Sequence, residues 1–320
     1  MVIAPATANI LGKMAHGIAD DALTTTFAAM RKPVVIAPAM NDKMYESPAT
    51  QEAIRILSTW SNITMLECAD GALACGTSGR GRMQEIDVIK AAIEYAITPK
   101  TLTDKHILIT AGPTHEAIDP VRYISNASTG KMGYALVKSC LKRGAKVTLV
   151  TGPTHISVEG WKAFSPLTVR PVVSSSEMCE ATVAEADSAD ICILCAAVAD
   201  FTPSTTANQK IKKEAGQTSL TLDLQTTTDI AAALGKKKRK NQTLVGFALE
   251  THNELANAER KMQAKNLDMI VLNSLQDQGA GFGVDTNKVT LLYPDGTQKK
   301  LPLKSKEEVA DAIIDAINPF

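Results

Sequence analysis

Aromatic residues make up only 4% of this 320-residue chain. Surfaces that stack nucleobases depend on aromatic faces, so the scarcity argues against nucleic-acid binding. Net charge is missing too. Lys+Arg and Asp+Glu both number 34, which leaves no general attraction to nucleic acid or an anionic membrane. No apolar run reaches the roughly 18 residues of a membrane span, and no basic-plus-apolar leader precedes the first strand. Six cysteines are too few over this length for a disulfide scaffold and point to a reducing cytoplasm. His106, His115, His155 and His252 show no metal-ligand spacing, and no internal repeat is visible.

What is present suits two α/β domains, since 45% of residues are hydrophobic and 21% charged. Met1-Val-Ile-Ala-Pro5 reads as the end of a buried strand running into a loop. This start predicts a fragment, or a misplaced gene start, with an incomplete first domain. Residues 1–98 alternate helical stretches (7–30, 48–59, 85–97) with short strands (33–38, 63–66), and 69–82 reads as a Gly-rich loop. Residues 99–101 form a linker. From 102 to 320, strands are predicted at 106–110, 145–151, 168–172, 189–195, 243–247 and 269–272. Helices fall near 132–143, 175–185, 229–234 and 253–265. The alternation implies a mostly parallel sheet covered on both faces, closed by a terminal hairpin (289–303) and a last helix (306–317).

The most informative stretch is Ile124-Ser-Asn-Ala-Ser-Thr-Gly-Lys-Met-Gly133, a turn that opens a helix after a strand and a tight loop. Strand, loop, helix, strand is a nucleotide-binding unit. Yet Gly130-Lys-Met-Gly133 lacks the upstream Gly and following Ser/Thr of a Walker loop. It also sits too far from the strand end for a dinucleotide fingerprint. Tyr134 and Lys138 lie on the wrong helix for a short-chain dehydrogenase. An NADP-dependent reductase on the same unit stays open at this point. Lys210-Ile-Lys-Lys213 could neutralise a triphosphate or be a solvated loop. Cys192-Ile-Leu-Cys195 has redox spacing but lies late in a buried strand, where a structural role is expected. Lys236–Lys240 reads as a solvated turn.

In the first domain, Ala4-Pro-Ala-Thr-Ala-Asn9 follows a strand and opens a helix, a phosphate-type turn. Asn41 either aims its amide at a ligand or caps a helix between two core methionines. These segments, with His16–Leu23, Pro38-Ala-Met-Asn41, Leu73-Ala-Cys-Gly76 and Gly79-Arg-Gly-Arg-Met83, resemble the flavoprotein decarboxylases of coenzyme A biosynthesis in order across residues 1–98. The resemblance implies an α/β flavodoxin-like domain whose Ala6, Thr7, Asn9 and Met40 lie against FMN. Asn41 would hold the substrate carboxylate, and Cys75 would donate a proton when the enethiol is reduced. The family's first glycine-rich flavin loop and its active-site His are not found. His16 does not match that position.

Residues 102–320 resemble the phosphopantothenate–cysteine ligase half of the same bifunctional proteins. The matching motifs are Gly112-Pro-Thr, Asp119–Asn126, Ser128–Gly133, Ala196–Asp200, Lys210–Lys213, Val245–Thr251, Lys265-Asn-Leu-Asp268, Asn273 and Gly281-Phe282. Two departures are local. Ala127 replaces a larger polar residue, and Thr227-Thr-Asp-Ile230 lacks a Pro. The resemblance implies a Rossmann-like domain that activates the carboxylate of 4'-phosphopantothenate with CTP and Mg²⁺. Cysteine then displaces CMP from the acyl-cytidylate. Cys195, Ala196, Ala197 and Asp200 would line the nucleotide. Asp229, Ile230 and Phe247 would hold base and ribose, and Lys261 and Lys265 would add contacts. Lys210 would act on the triphosphate and transition state, and Asn126, helped by Arg122, on the intermediate. A ligase-domain homodimer, and a larger homo-oligomer with an intact flavodomain, are further implied.

Overall fold

The computed structural model describes all residues except 73–77, 214, 216, 251–252, 275–282 and 318–320. Two compact units emerge. One comprises Met1–Thr101 with Glu159–Phe164, and the other Leu102–Val158 with Ser165–Phe320.

In the first unit, β1 (Val2–Ala6), β2 (Val34–Pro38) and β3 (Ile63–Met65) form a three-stranded parallel sheet in that order. Its middle strand is buried throughout, as a strand covered on both faces should be. The helical stretch expected over 7–30 is two helices, α1 (Ala8–Ala15) and α2 (Ala22–Ala29). The break has a local cause. Gly17 takes φ 71°, and Asp21 caps α2 through a reciprocal box with Thr24. After β2 come α3 (Asp42–Glu46) and α4 (Pro48–Ser58). The span expected to be loop over 69–82 contains a hairpin instead, β4 (Ala69–Ala72) against β5 (Ser78–Arg82). Its glycines and charges hide the strand pattern. The amphipathic α5 (Ile86–Ile97) follows. Phe164 belongs to this unit and stacks on Tyr95 at 5.5 Å between ring centroids.

The second unit opens with β6 (His106–Ala111), fully buried, and a small hairpin of β7 (Glu116–Ala117) and β8 (Tyr123–Ile124). Then come α6 (Lys131–Lys142), β9 (Lys146–Thr151), β10 (Leu167–Pro171), α7 (Ser175–Ala186) and β11 (Ile191–Leu194). An arm follows, based on β12 (Phe201–Pro203) paired antiparallel with β13 (Leu224–Thr226). It leads to α8 (Ile230–Lys237), β14 (Thr243–Glu250), α9 (Glu254–Ala264) and β15 (Met269–Ser274). The chain continues through β16 (Thr286–Asn287), β17 (Val289–Leu292), β18 (Gln298–Lys300), β19 (Lys304–Ser305) and α10 (Lys306–Ile317).

The main sheet runs β10-β9-β6-β11-β14-β15-β17-β18. Its first six strands are parallel, and β17 and β18 add an antiparallel edge. The core of Leu108, Val150, Met178, Cys192, Leu244 and Ile270 lies along it. The four-residue or shorter strands of the small hairpin and the arm escape a sequence reading because they bury little of their own. Lys236–Lys240 is solvated as expected except at Lys238, but only its end is a turn. Lys236 and Lys237 finish α8. The Lys238 ammonium reaches Asn266 O at 2.7 Å and Asp268 at 2.8 Å, and Arg239 donates to Ala189 O at 2.6 Å.

Candidate functional site

Counting the parallel strands in chain order, the main sheet reads 3-2-1-4-5-6. Connections leave to opposite sides at the β6/β11 junction, and a crevice is required outside the carboxyl ends of those two strands. A cavity of 640 Å³ lies there. Thr110, at the end of β6, and Leu194 to Val198, at the end of β11, form its floor. The Ala196 N–H donates to Thr110 Oγ1 at 3.2 Å, which ties the two strand ends together.

One wall is the Ser128–Gly133 turn. Gly130 precedes α6 at φ 78°, a left-handed backbone that favours glycine. A Cβ on Gly133 would lie 2.5 Å from Ala111 Cβ, so only glycine lets α6 lie this close to β6. No side chain caps the start of α6, and its first N–H groups suit an anion. Asn126 stands at the rim and donates from Nδ2 to Ala197 O at 3.1 Å and Val198 O at 2.9 Å.

Opposite, α8 begins at Asp229, whose carboxylate accepts from Ala232 N–H at 2.9 Å and pairs with Lys265 Nζ at 2.9 Å. Desolvation opposes its ionisation. The Ala232 N–H and the Lys265 ammonium outweigh that and hold the carboxyl below its ordinary value. Ile230, Phe247, Lys261 and Lys265 line the same side, and Asp200 joins from the base of the arm. Burial pushes the Cys195 thiol up to about 12, so it is no thiolate.

The cavity therefore gathers Asn126, Cys195, Ala196, Ala197, Asp200, Asp229, Ile230, Phe247, Lys261 and Lys265. It does not gather Lys210 or Arg122. Lys210 is exposed on the arm. The Arg122 guanidinium pairs with Asp119 and donates to Ile211 O at 2.8 Å. Arg122 foremost, joined by backbone N–H groups, holds the Asp119 carboxyl well below the usual carboxylate range. Sequence reasoning missed Lys131, Asn287 and Lys306, which also line the cavity. Lys131 sits inside a motif already singled out, whereas Lys306 carries no signal beyond opening an amphipathic helix. Among the described residues no group of three or more His, Cys, Asp or Glu side chains is placed to hold a metal.

In the first unit, Ala39 N–H donates to Ala6 O at 3.0 Å. The Ala6–Thr7 and Met40–Asn41 turns are thus neighbours at the carboxyl edge of β1 and β2. Asn9 lies in the first turn of α1, which Thr7 caps. Asn41 is a helix cap, accepting from Lys43 N–H at 2.9 Å. Of the two methionines expected in the core, Met44 is exposed. Met40 N–H donates to Gly81 O at 2.9 Å, and a Cβ on Gly81 would strike Met40 O at 2.3 Å, so the hairpin closes directly over this edge. Cys75 lies outside the described residues, as do Leu73–Gly76, Thr251 and Gly281-Phe282. Helix-start N–H groups beside an amide fit a phosphate and a carboxylate.

Fold and crevice define a nucleotide-type α/β protein joined to a smaller α/β unit. Residues 1–98 match the family described as Flavoprotein, and residues 102–320 match the DNA/pantothenate metabolism flavoprotein C-terminal domain. The chain belongs to this family of bifunctional coenzyme A biosynthesis flavoproteins. It is 47% identical over 320 residues to the coenzyme A biosynthesis bifunctional protein CoaBC of Bacillus subtilis, covering 99% of this chain and 77% of that one. It is 49% identical to a cysteine/cysteine sulfinic acid decarboxylase of an unknown prokaryotic organism, over 99% of this chain and 88% of the relative. The crystal structure of the C-terminal domain of a CoaBC protein superposes with a TM-score of 0.56 at 38% identity. That match covers 68% of this chain and 96% of that domain.

Proposed function

We propose that residues 102–320 carry a CTP-dependent phosphopantothenate–cysteine ligase, and that residues 1–98 contribute to FMN-dependent decarboxylation of its product. Residues 99–101 would link the two. The observation that carries the ligase reading is the cavity at the β6/β11 junction, where an uncapped helix start faces two lysines across the strand ends.

Each group there has a task. Backbone at Cys195, Ala196 and Ala197 and the Asp200 side chain border the nucleotide. Asp229, Ile230 and Phe247 hold ribose and base, while Lys261 and Lys265 set the local charge. The α6 N-terminus receives phosphate oxygens, and Mg²⁺ carried in with the triphosphate would offset part of its charge. The substrate carboxylate attacks the α-phosphorus and expels pyrophosphate. Asn126, its carboxamide already oriented by two carbonyls, holds the acyl-cytidylate. The cysteine amine then attacks the acyl carbon, and CMP leaves. Lys210 stabilises the charge that develops as this happens.

In the first unit, Ala6, Thr7, Asn9 and Met40 would border FMN, which would supply the oxidation of the substrate thiol that gives decarboxylation its electron sink. Asn41 orients the substrate carboxylate, and Cys75 returns a proton. The family's homodimer through the ligase domain, and its larger assembly, carry over as part of the proposal.

A mixture of phosphopantothenate, cysteine, CTP and Mg²⁺ tests the ligase. Pyrophosphate and CMP should appear in equal amounts, and Lys210→Gln should slow their release by about a thousandfold. Folded wild-type protein that releases neither would sink the reading. The decarboxylase relative favours one variation, turnover of free cysteine by the first unit. Carbon dioxide release from cysteine without CTP would separate the two.

A further inference from the structure

Lys210 carries the transition-state role in the proposed ligase, yet it stands on an exposed arm and does not line the cavity. Something must set where it stands. The residue next to it, Ile211, is held at both backbone polar groups by one pair of side chains. Asp119 Oδ2 accepts from Ile211 N–H at 3.1 Å, and Arg122 Nη2 donates to Ile211 O at 2.8 Å. The Ile211 N–H belongs to the same planar peptide unit as the Lys210 carbonyl. Gripping it fixes the backbone from which the Lys210 side chain departs.

The grip is itself built rigidly. The Asp119 side chain is fully buried. Its Oδ1 accepts from the N–H groups of Val121 and Arg122, both at 2.9 Å, and its Oδ2 accepts from Arg122 Nε at 3.0 Å. Two more bonds lace the arm to the same hairpin, Ala207 N–H to Ile118 O at 3.0 Å and Thr206 Oγ1 to Ala117 O at 3.2 Å. The hairpin is pinned in turn where buried Glu116 accepts from Ser175 N–H at 2.9 Å and Ser175 Oγ at 3.1 Å. Four residues beyond Arg122 stands Asn126, already oriented at the cavity rim.

We infer that Asp119, with Arg122 as its fork, is a positioning residue that clasps the Lys210–Ile211 peptide and sets Lys210 in register with the Asn126 side of the site. The inference rests on the proposed role of Lys210. Arg122 then acts through the arm rather than by touching the intermediate.

Steady-state and single-turnover pyrophosphate release by the full chain tests this. Asp119→Asn should lower kcat by about 100-fold, the usual cost of a misplaced group, with KM for CTP within about threefold. In a Lys210→Gln background the same change should slow turnover by less than about threefold, because the clasp has nothing left to place. Arg122→Lys keeps the charge and loses the fork. It should reproduce the kcat loss and the non-additivity, and it decides the matter if circular dichroism shows Asp119→Asn unfolded. Activity within twofold of wild type in a folded Asp119→Asn, or a full 100-fold loss added to that of Lys210→Gln, overturns the assignment. An active Lys210→Gln would instead sink the role given to Lys210. A loss at Asp119 persisting in that background would show the clasp serving another group, which also overturns it.

Discussion

Burial sets the chemistry of the individual cysteines. It pushes Cys140 and Cys192 up to about 12 and Cys68 up to about 11. The thiolate is the nucleophile in alkylation, so at pH 8 these side chains stay protonated and shielded. Brief iodoacetamide treatment followed by mass spectrometry should leave all three unmodified in the folded protein and modify them in urea. Rapid labelling of Cys192 without denaturant would contradict its place in the strand. The same burial explains why the Cys192-Ile-Leu-Cys195 spacing misleads. A redox pair needs one thiol at an exposed helix start, and Cys192 lies in β11 beneath the cavity. Residue-level legibility follows a simple physical line. Asp229, Lys261 and Lys265 could be found through the family resemblance, and only the Asp229 cap and the one-turn spacing of Lys261 and Lys265 are local signals, since the Asp229–Lys265 pair joins distant parts of the chain. Lys306 could not be found, because only closure of the whole unit carries it to a cavity it otherwise shares with residues 110–287.

At the scale of elements, close backbone approach decides how α6 meets the sheet. Gly133 lies on Ala111 with no room for a methyl group, since the two Cβ atoms would stand 2.5 Å apart. Gly133→Ala must lift the helix start, at a cost of about 1–3 kcal/mol. Thermal unfolding should show a midpoint several degrees lower, and KM for CTP should rise because the α6 N-terminus has moved. A variant with unchanged midpoint and KM would mean that the helix shifts freely. The long buried strands and amphipathic helices were legible from hydrophobic pattern alone, to within a residue or two at most ends. The β4–β5 hairpin and the β12–β13 arm were not. Their strands span three to five residues and bury few side chains, and backbone pairing with a distant partner makes them strands. The split between α1 and α2 was readable in principle, since Asp21-x-x-Thr24 is a cap written in the sequence.

At the scale of the whole ligase unit, α10 is fastened to α6 by one polar network. Arg143, nearly buried, donates to Asp311 and Asp315, both at 2.8 Å, while Lys142 and Ser139 reach Asp311 at 2.7 and 2.6 Å. Desolvation works against the Asp311 charge, yet Lys142, Ser139 and Arg143 together hold its carboxyl below the ordinary 3.8. A carboxyl depressed in the folded state stabilises above its unfolded value and loses that contribution as pH falls through the folded one. Stability should therefore be flat from neutral pH to about pH 5 and then decline below about pH 4. Asp311→Ala should cost on the order of 3 kcal/mol at pH 7, because Arg143 is left with one of its two carboxylates. It should also shallow the acid decline. Urea unfolding at pH 7 and pH 3.5 measures both, and an unchanged acid slope would remove Asp311 from the account. Among the described residues no helix is long and apolar enough to cross a membrane.

The place of α10 also bears on synthesis. Lys306, its first residue, is part of the cavity wall, whereas the turn at Gly130 that forms another part of that wall is made 176 residues earlier (306 − 130). On a ribosome the turn and its strands emerge long before the helix that backs them. A nascent chain can thus hold the Gly130 turn and the strand ends and still lack a closed crevice until α10 is released.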